Sequence, residues 1–178
     1  MKSIKSDPLN YMMMVISMVL ISVSCIQVDP NTNKNGVDVM QPYLQYTDHS
    51  IQTFEDTVYV PVYSDIYSET RQRSTLMTAT LSIRSTSLRD TTYINDILYY
   101  NTQGDIVRSY IEKTLILSPM QSIDYVIDRD DVSGGSGANF LVTWGARKDT
   151  RPIFQAVMIG TSGQHGLSFV TDGVSITR

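Results

Sequence analysis

The segment Leu76 to Thr86, LMTATLSIRST, puts Met77, Ala79, Leu81 and Ile83 on one side of an extended chain and Thr78, Thr80, Ser82 and Arg84 on the other. Side chains of a strand alternate with a period of two, so this pattern suits a strand buried on one face and does not make the apolar stripe of a helix. TVYVPVY repeats the alternation, with Val58, Val60 and Val62 sharing a face. Further strand signals follow in TYINDILYYN, GDIVRSYI, KTLILS, SIDYVID, NFLVTW and IFQAVMIG, separated by polar or glycine-containing turns such as Asn101-Thr102-Gln103-Gly104. No comparable stretch carries apolar residues at helical spacing. About seven to nine strands at roughly 8–12-residue spacing predict an all-β chain, an antiparallel β-sandwich of immunoglobulin-like kind.

Two prolines refine that expectation. Pro61 has no N–H to give to a ladder, which predicts a sheet edge or a bulge in the first strand. Pro119 marks a turn between two alternating strands in LILSPMQSIDYVI. Trp144 shares a face with Phe140 and Val142 and is expected in the core.

The N-terminus reads differently. Lys2 and Lys5 precede an apolar run from Tyr11 to Ser24, shorter than the about 20 residues of a membrane span but suited to a signal-peptide core. The run ends in Ser22-Val23-Ser24 directly before Cys25, the only cysteine in the chain. This arrangement resembles a bacterial lipobox, in which the cysteine thiol receives a diacylglycerol, although Ser22 stands where leucine is usual. The reading is a signal peptide over 1–24, a lipidated Cys25 with a tether over 25–54, and a β-sandwich domain over 55–178. It places the protein in the bacterial cell envelope, lipid-anchored and extracytoplasmic, with the membrane as one partner. A lone cysteine excludes an internal disulfide. The formal charge of −4, with no basic run, gives no electrostatic reason to bind nucleic acid.

The stretch DVSGGSGANFLVTW opens the question of a site. If Asn139–Trp144 and Ile153–Ile159 form a hairpin, the loops DRDDVSGGSGA and GTSGQHG emerge at the same end of the sandwich. They would then gather Asp130, Asp131, Ser133, Gly135, Ser136, Thr161, Ser162, Gln164 and His165 as a candidate ligand site. Backbone N–H groups of glycine-rich turns can form an anion nest. Asp130 and Asp131 oppose phosphate, and the lysine and helix of a phosphate-binding loop are missing. The preferred alternative gives the glycines to tight turns, a bulge and close backbone approach.

DRDD also supplies Asp128, Asp130 and Asp131 as hard oxygen ligands for calcium, but without EF-hand spacing a solvated acidic turn is preferred and any metal stays unassigned. His165 lacks a nucleophile in a recognised elbow, which argues against an enzyme, and no cofactor is expected. A second constellation is the tyrosines Tyr59, Tyr63 and Tyr67, which would line an interaction face for a protein or glycan if they lie opposite the valines of the first strand.

By YVPVYSDIY, LMTATLSIRST, GGSGANFLVTW and QAVMIGTSGQHGLSFVTDG, the chain resembles the uncharacterised bacterial domain-of-unknown-function family numbered 3124, over about residues 55–173. The resemblance implies a secreted or lipid-anchored envelope protein and no assigned activity. The functional expectation is a non-enzymatic lipoprotein acting as a binding or scaffolding module. The alternative is a receptor or carrier for a small polar ligand or metal ion at the paired glycine loops.

Overall fold

The alternation at Met77–Ile83 becomes the middle of β3 (Thr70–Arg84), where Met77, Ala79, Leu81 and Ile83 are fully buried and the residues between them are partly exposed. The computed structural model describes residues 52–68, 70–147, 150–163 and 165–176, without the side chain of Ser162. The leader, Cys25 and the tether up to residue 51 lie outside the described residues.

Two antiparallel sheets form around this strand. The second sheet runs β10 (His165–Asp172), β9 (Ile153–Ser162), β3 and β2 (Asp65–Ser68), with β7 (Ser122–Ile127) also paired to β3. The first runs β11 (Val174–Ser175), β1 (Phe54–Pro61), β8 (Asn139–Ala146), β4 (Thr92–Tyr100) and β5 (Ile106–Ser109), with β6 (Leu115–Leu117) on the other half of β4. The described residues thus form an all-β sandwich with eleven strands. The three strands without a sequence signal are β2 and β11, four and two residues long and too brief for a period-two pattern to register, and β10, whose eight residues follow directly on a glycine-containing turn.

The inner faces make one core. Val58, Val60, Phe140, Val142, Trp144, Ile94, Ile97 and Tyr99 from the first sheet join Met77, Leu81, Ile83, Tyr125, Ile127, Ala156 and Met158 from the second. Burying each large side chain is worth about 1.5–3 kcal/mol, which is why the alternation dictates which face turns inward. Trp144 is in this core, as its face-mates imply.

The expected hairpin of Asn139–Trp144 with Ile153–Ile159 does not form. β8 pairs with β1 and β4, whereas β9 pairs with β3 and β10, so the chain crosses from one sheet to the other between them. β8 is flanked on both sides by strands distant in sequence, and β9 lies between distant β3 and its own hairpin partner β10, a choice for which loop spacing carries no signal. Pro61 pairs with Asn139 at the end of β1, beyond the two residues that β11 covers, so its missing N–H faces no ladder partner there. Its carbonyl accepts from Thr171 Oγ1 at 2.6 Å.

The chain returns to the first sheet through Gly173. Its N–H donates to Phe154 O at 2.8 Å, and a Cβ there would lie 2.6 Å from Val58 Cγ1 and 2.9 Å from Phe154 Cβ. Only a bare backbone passes so close to both sheets. Gly173→Ala is therefore expected to destabilise the domain by about 1–3 kcal/mol, the usual cost of overpacking. Denaturant unfolding of the variant checks this, and an unchanged midpoint would refute the close-approach role.

Candidate functional site

The glycine loop between β7 and β8 is fastened to the domain along its length. Ser64 N donates to Gly135 O at 3.1 Å, and Thr102 donates to Gly134 O from both N, at 2.9 Å, and Oγ1, at 3.0 Å. Gly137 N donates to Thr102 Oγ1 at 3.0 Å, and Val62 N to Ala138 O at 2.9 Å. The loop thus bridges the β1–β2 connection and the β4–β5 turn.

Two glycines have specific reasons. Gly135 has φ +73, a left-handed conformation that other residues rarely adopt. A Cβ on Gly134 would lie 1.8 Å from Tyr99 OH. Tyr99 is fully buried, and its hydroxyl shares a 2.7 Å hydrogen bond with Ser64 Oγ. The loop sits close so that this tyrosine can be covered.

Asp131 closes the start of the loop. Arg108 Nη2 donates to its Oδ2 at 2.8 Å, while Ser133 donates to Oδ1 from N and from Oγ. Arg108 Nη1 also donates to Tyr110 OH at 3.0 Å and lies over the Tyr110 ring. Burial alone would raise the Asp131 carboxyl, but the bonds from Ser133 and Arg108 outweigh it and hold the group below its ordinary value. Asp130 is exposed beside it, and Ser136 is half-buried. Among the described residues, no three His, Cys, Asp or Glu side chains come together as a cation site.

The other glycine loop is the tight turn of the β9–β10 hairpin, where Ser162 pairs with His165 and Gly163 has φ +61. Gln164 and the side chain of Ser162 lie outside the described residues, and Thr161 and His165 are exposed. The first loop leaves β7 and the second ends β9, two strands that flank β3 in one sheet, with Ile127 opposite Ala79 and Gly160 opposite Met77. The hydrogen bonds that organise the first loop run to Ser64, Thr102 and Arg108.

The tyrosines are likewise distributed. Tyr59 is half-buried, with Leu141 opposite it on β8 and Val174 opposite it on β11. Tyr63 packs edge-on against Phe169 at 5.6 Å, and Tyr67 is 62% exposed on β2, in the other sheet.

An exposed region that sequence reasoning passed over lies on β9 and β10. Among the described residues, β10 pairs with β9 alone. From His165 to Thr171 it carries no acidic residue, lysine, arginine or proline, and Leu167 and Val170 are exposed. On the outer face of the sheet, Val126, Thr80, Val157 and Val170 stand opposite one another across β7, β3, β9 and β10, with Ile159 next to Val157 along its face. The missing charge in HGLSFVT was the available signal. Its meaning required knowing that β10 is an edge.

A family model described as a protein of unknown function (DUF3124) matches residues 55–176. The chain belongs to this family. The DUF3124 match runs from β1 through β11 and so covers both sheets. No curated protein matches the chain. Among solved structures, the crystal structure of Thermotoga maritima 1070 is similar at 14% identity, over 67% of this chain and 92% of that chain, with a TM-score of 0.38.

Tyr99→Phe leaves the buried Ser64 hydroxyl without its partner and is expected to cost about 1–3 kcal/mol in denaturant unfolding. No loss of stability would show that the hydroxyl pair contributes nothing. Asp131→Asn is expected to lower the thermal midpoint at neutral pH. A carboxyl held low in the native state stabilises it above the unfolded-state pKa and loses that effect as pH falls through the native one, so the gap from the wild type should close at acid pH, below the ordinary 3.8. A gap that persists there would assign the effect to packing.

Proposed function

We propose that this chain is a non-enzymatic module of the bacterial cell envelope, anchored through a lipid on Cys25, that engages another envelope protein by strand addition at β10. The observation that carries the reading is the unguarded edge. β10 has eight residues and, among the described residues, a single partner strand, and it carries no acidic residue, lysine or arginine over its first seven positions. Exposed edges in soluble domains are ordinarily blunted by charge, proline or brevity. The other edges here follow that rule: β2, β5, β6 and β11 are short, β7 carries Asp124, and β1 ends in Pro61.

An added strand would find backbone hydrogen bonds along β10 and apolar contacts at Val170 and Leu167. A protein partner fits this edge better than nucleic acid does, given an acidic chain without a basic run. The glycine loops support the non-enzymatic reading, because Asp131, the most constrained carboxylate there, is committed to Arg108 and Ser133.

A photocrosslinking side chain at Ser168 of the full chain, in its native envelope, is expected to trap one discrete protein adduct, with the same group at Ser122 as control. Val170→Lys should reduce the adduct about tenfold, equivalent to about 1.4 kcal/mol, without lowering the unfolding midpoint. Equal trapping at Ser122, or an adduct indifferent to Val170→Lys, rejects strand addition. Cys25→Ser is expected to release the protein from membranes, and a variant that stays membrane-bound and normally processed rejects the lipid anchor.

A further inference from the structure

At the end of β8 far from the glycine loop, the sandwich opens between its two sheets. A cleft of about 370 Å³ lies there, bordered by the start of β1, the segment Thr150–Phe154 and the crossing segment Asp172–Ser175. That volume falls within the roughly 300–1,000 Å³ of small-molecule sites.

Its wall is aromatic. Trp144 lies 5.3 Å from Phe54 and 6.0 Å from Phe154, centroid to centroid, and Phe54 is 41% exposed. Two residues that line it each hold a buried polar atom, Trp144 Nε1 and Thr150 Oγ1, that has no hydrogen-bond partner among the described residues. Buried donors are nearly always paired, so an unpaired indole N–H and an unpaired hydroxyl in two residues that line one cleft point to an occupant that carries oxygen. Asp56 lines the same cleft, with Oδ1 held by Thr57 N at 2.7 Å and Ser175 Oγ at 2.9 Å, and Arg151 lines it as well.

We propose that this cleft binds a neutral sugar ring. The apolar C–H face of a pyranose suits the exposed Phe54 ring. Its oxygens accept from Trp144 Nε1 and Thr150 Oγ1, and its hydroxyls donate to Asp56. Both orphaned atoms are covered, so the proposed contacts require the Thr150–Pro152 wall to move as the ring seats. An anion is disfavoured, since Asp56 and Asp172 offset Arg151. A cation without acceptor oxygens leaves the indole N–H as it is. The site is independent of the β10 edge.

Trp144 is the only tryptophan in the chain, so its emission reports on the cleft directly. The full-length protein, in a detergent without a sugar headgroup, is titrated with methyl β-glucopyranoside, a free ring, and with an N-acetylglucosamine tetrasaccharide, a glycan chain. Saturable change with either is expected, and the tighter of the two tells a free sugar from an envelope glycan. Phe54→Ala should weaken binding at least about tenfold. Thr150→Val should weaken it several-fold while leaving stability unchanged or raised, because it removes an unpaired hydroxyl. Val170→Lys should bind as the wild type does. The proposal is overturned by no saturable change with either saccharide, by binding indifferent to both Phe54→Ala and Thr150→Val, or by saturation with betaine or N-acetylalanine methylamide in place of the sugars.

Discussion

The burial of one apolar face of β3 and β9 against that of β8 and β4 governs the rest of the molecule. Met77, Leu81, Ile83, Ala156 and Met158 come from one sheet, and Phe140, Val142, Trp144, Ile97 and Tyr99 from the other. Once β8 and β9 are committed to opposite sheets, the segment between them must span the sandwich, and Gly173 must bring the chain back. The aromatic cleft is the space left where these two crossings border the core, with Phe154 packed against both Trp144 and Gly173.

At the other end of β8 the same requirement produces closure. Tyr99 carries a hydroxyl into the core, and an interior hydroxyl needs a partner. Ser64 supplies it, and Gly134 lets the loop lie directly over the pair. Thr102 and the Arg108–Asp131 pair then hold the loop down. The glycine-rich, acidic stretch, whose glycines the sequence assigns by preference to turns and close backbone approach, lies over Tyr99 and is fastened there by hydrogen bonds.

These two ends divide the work. The closed end stabilises the domain, while the aromatic cleft and the uncharged β10 edge are not covered by any other described residue. A module carried on a tether behind Cys25 would present both to other envelope components. The proposed strand addition uses backbone groups and the proposed sugar site uses side chains, so the two modes do not compete for the same atoms.

Much of the fold was legible in the sequence. The alternation at Val58–Val62 and Met77–Ile83 identified the buried faces, Pro61 a sheet edge or a bulge, and Trp144 a core position, because each depends on local geometry or on a strand's own periodicity. The family resemblance rested on motifs from β1 to β10 and agrees with the match over 55–176. Which strands are neighbours was not legible, since β1 pairs with β8 across more than half of the domain and no local pattern records that choice. The candidate site depended on that choice. Glycines at 134 and 135 announce unusual backbone, but whether they face a ligand or Tyr99 is decided by the strand packed beneath them. Likewise, Trp144 and Thr150 read as core and loop, and only the meeting of two sheets leaves their polar atoms unpaired beside an open cleft. The sequence by itself determined the all-β class, the inward faces and the family, because these follow from side-chain periodicity and local motifs. The tertiary structure alone decided which ends close and which stay open, because that depends on contacts between residues far apart in the chain.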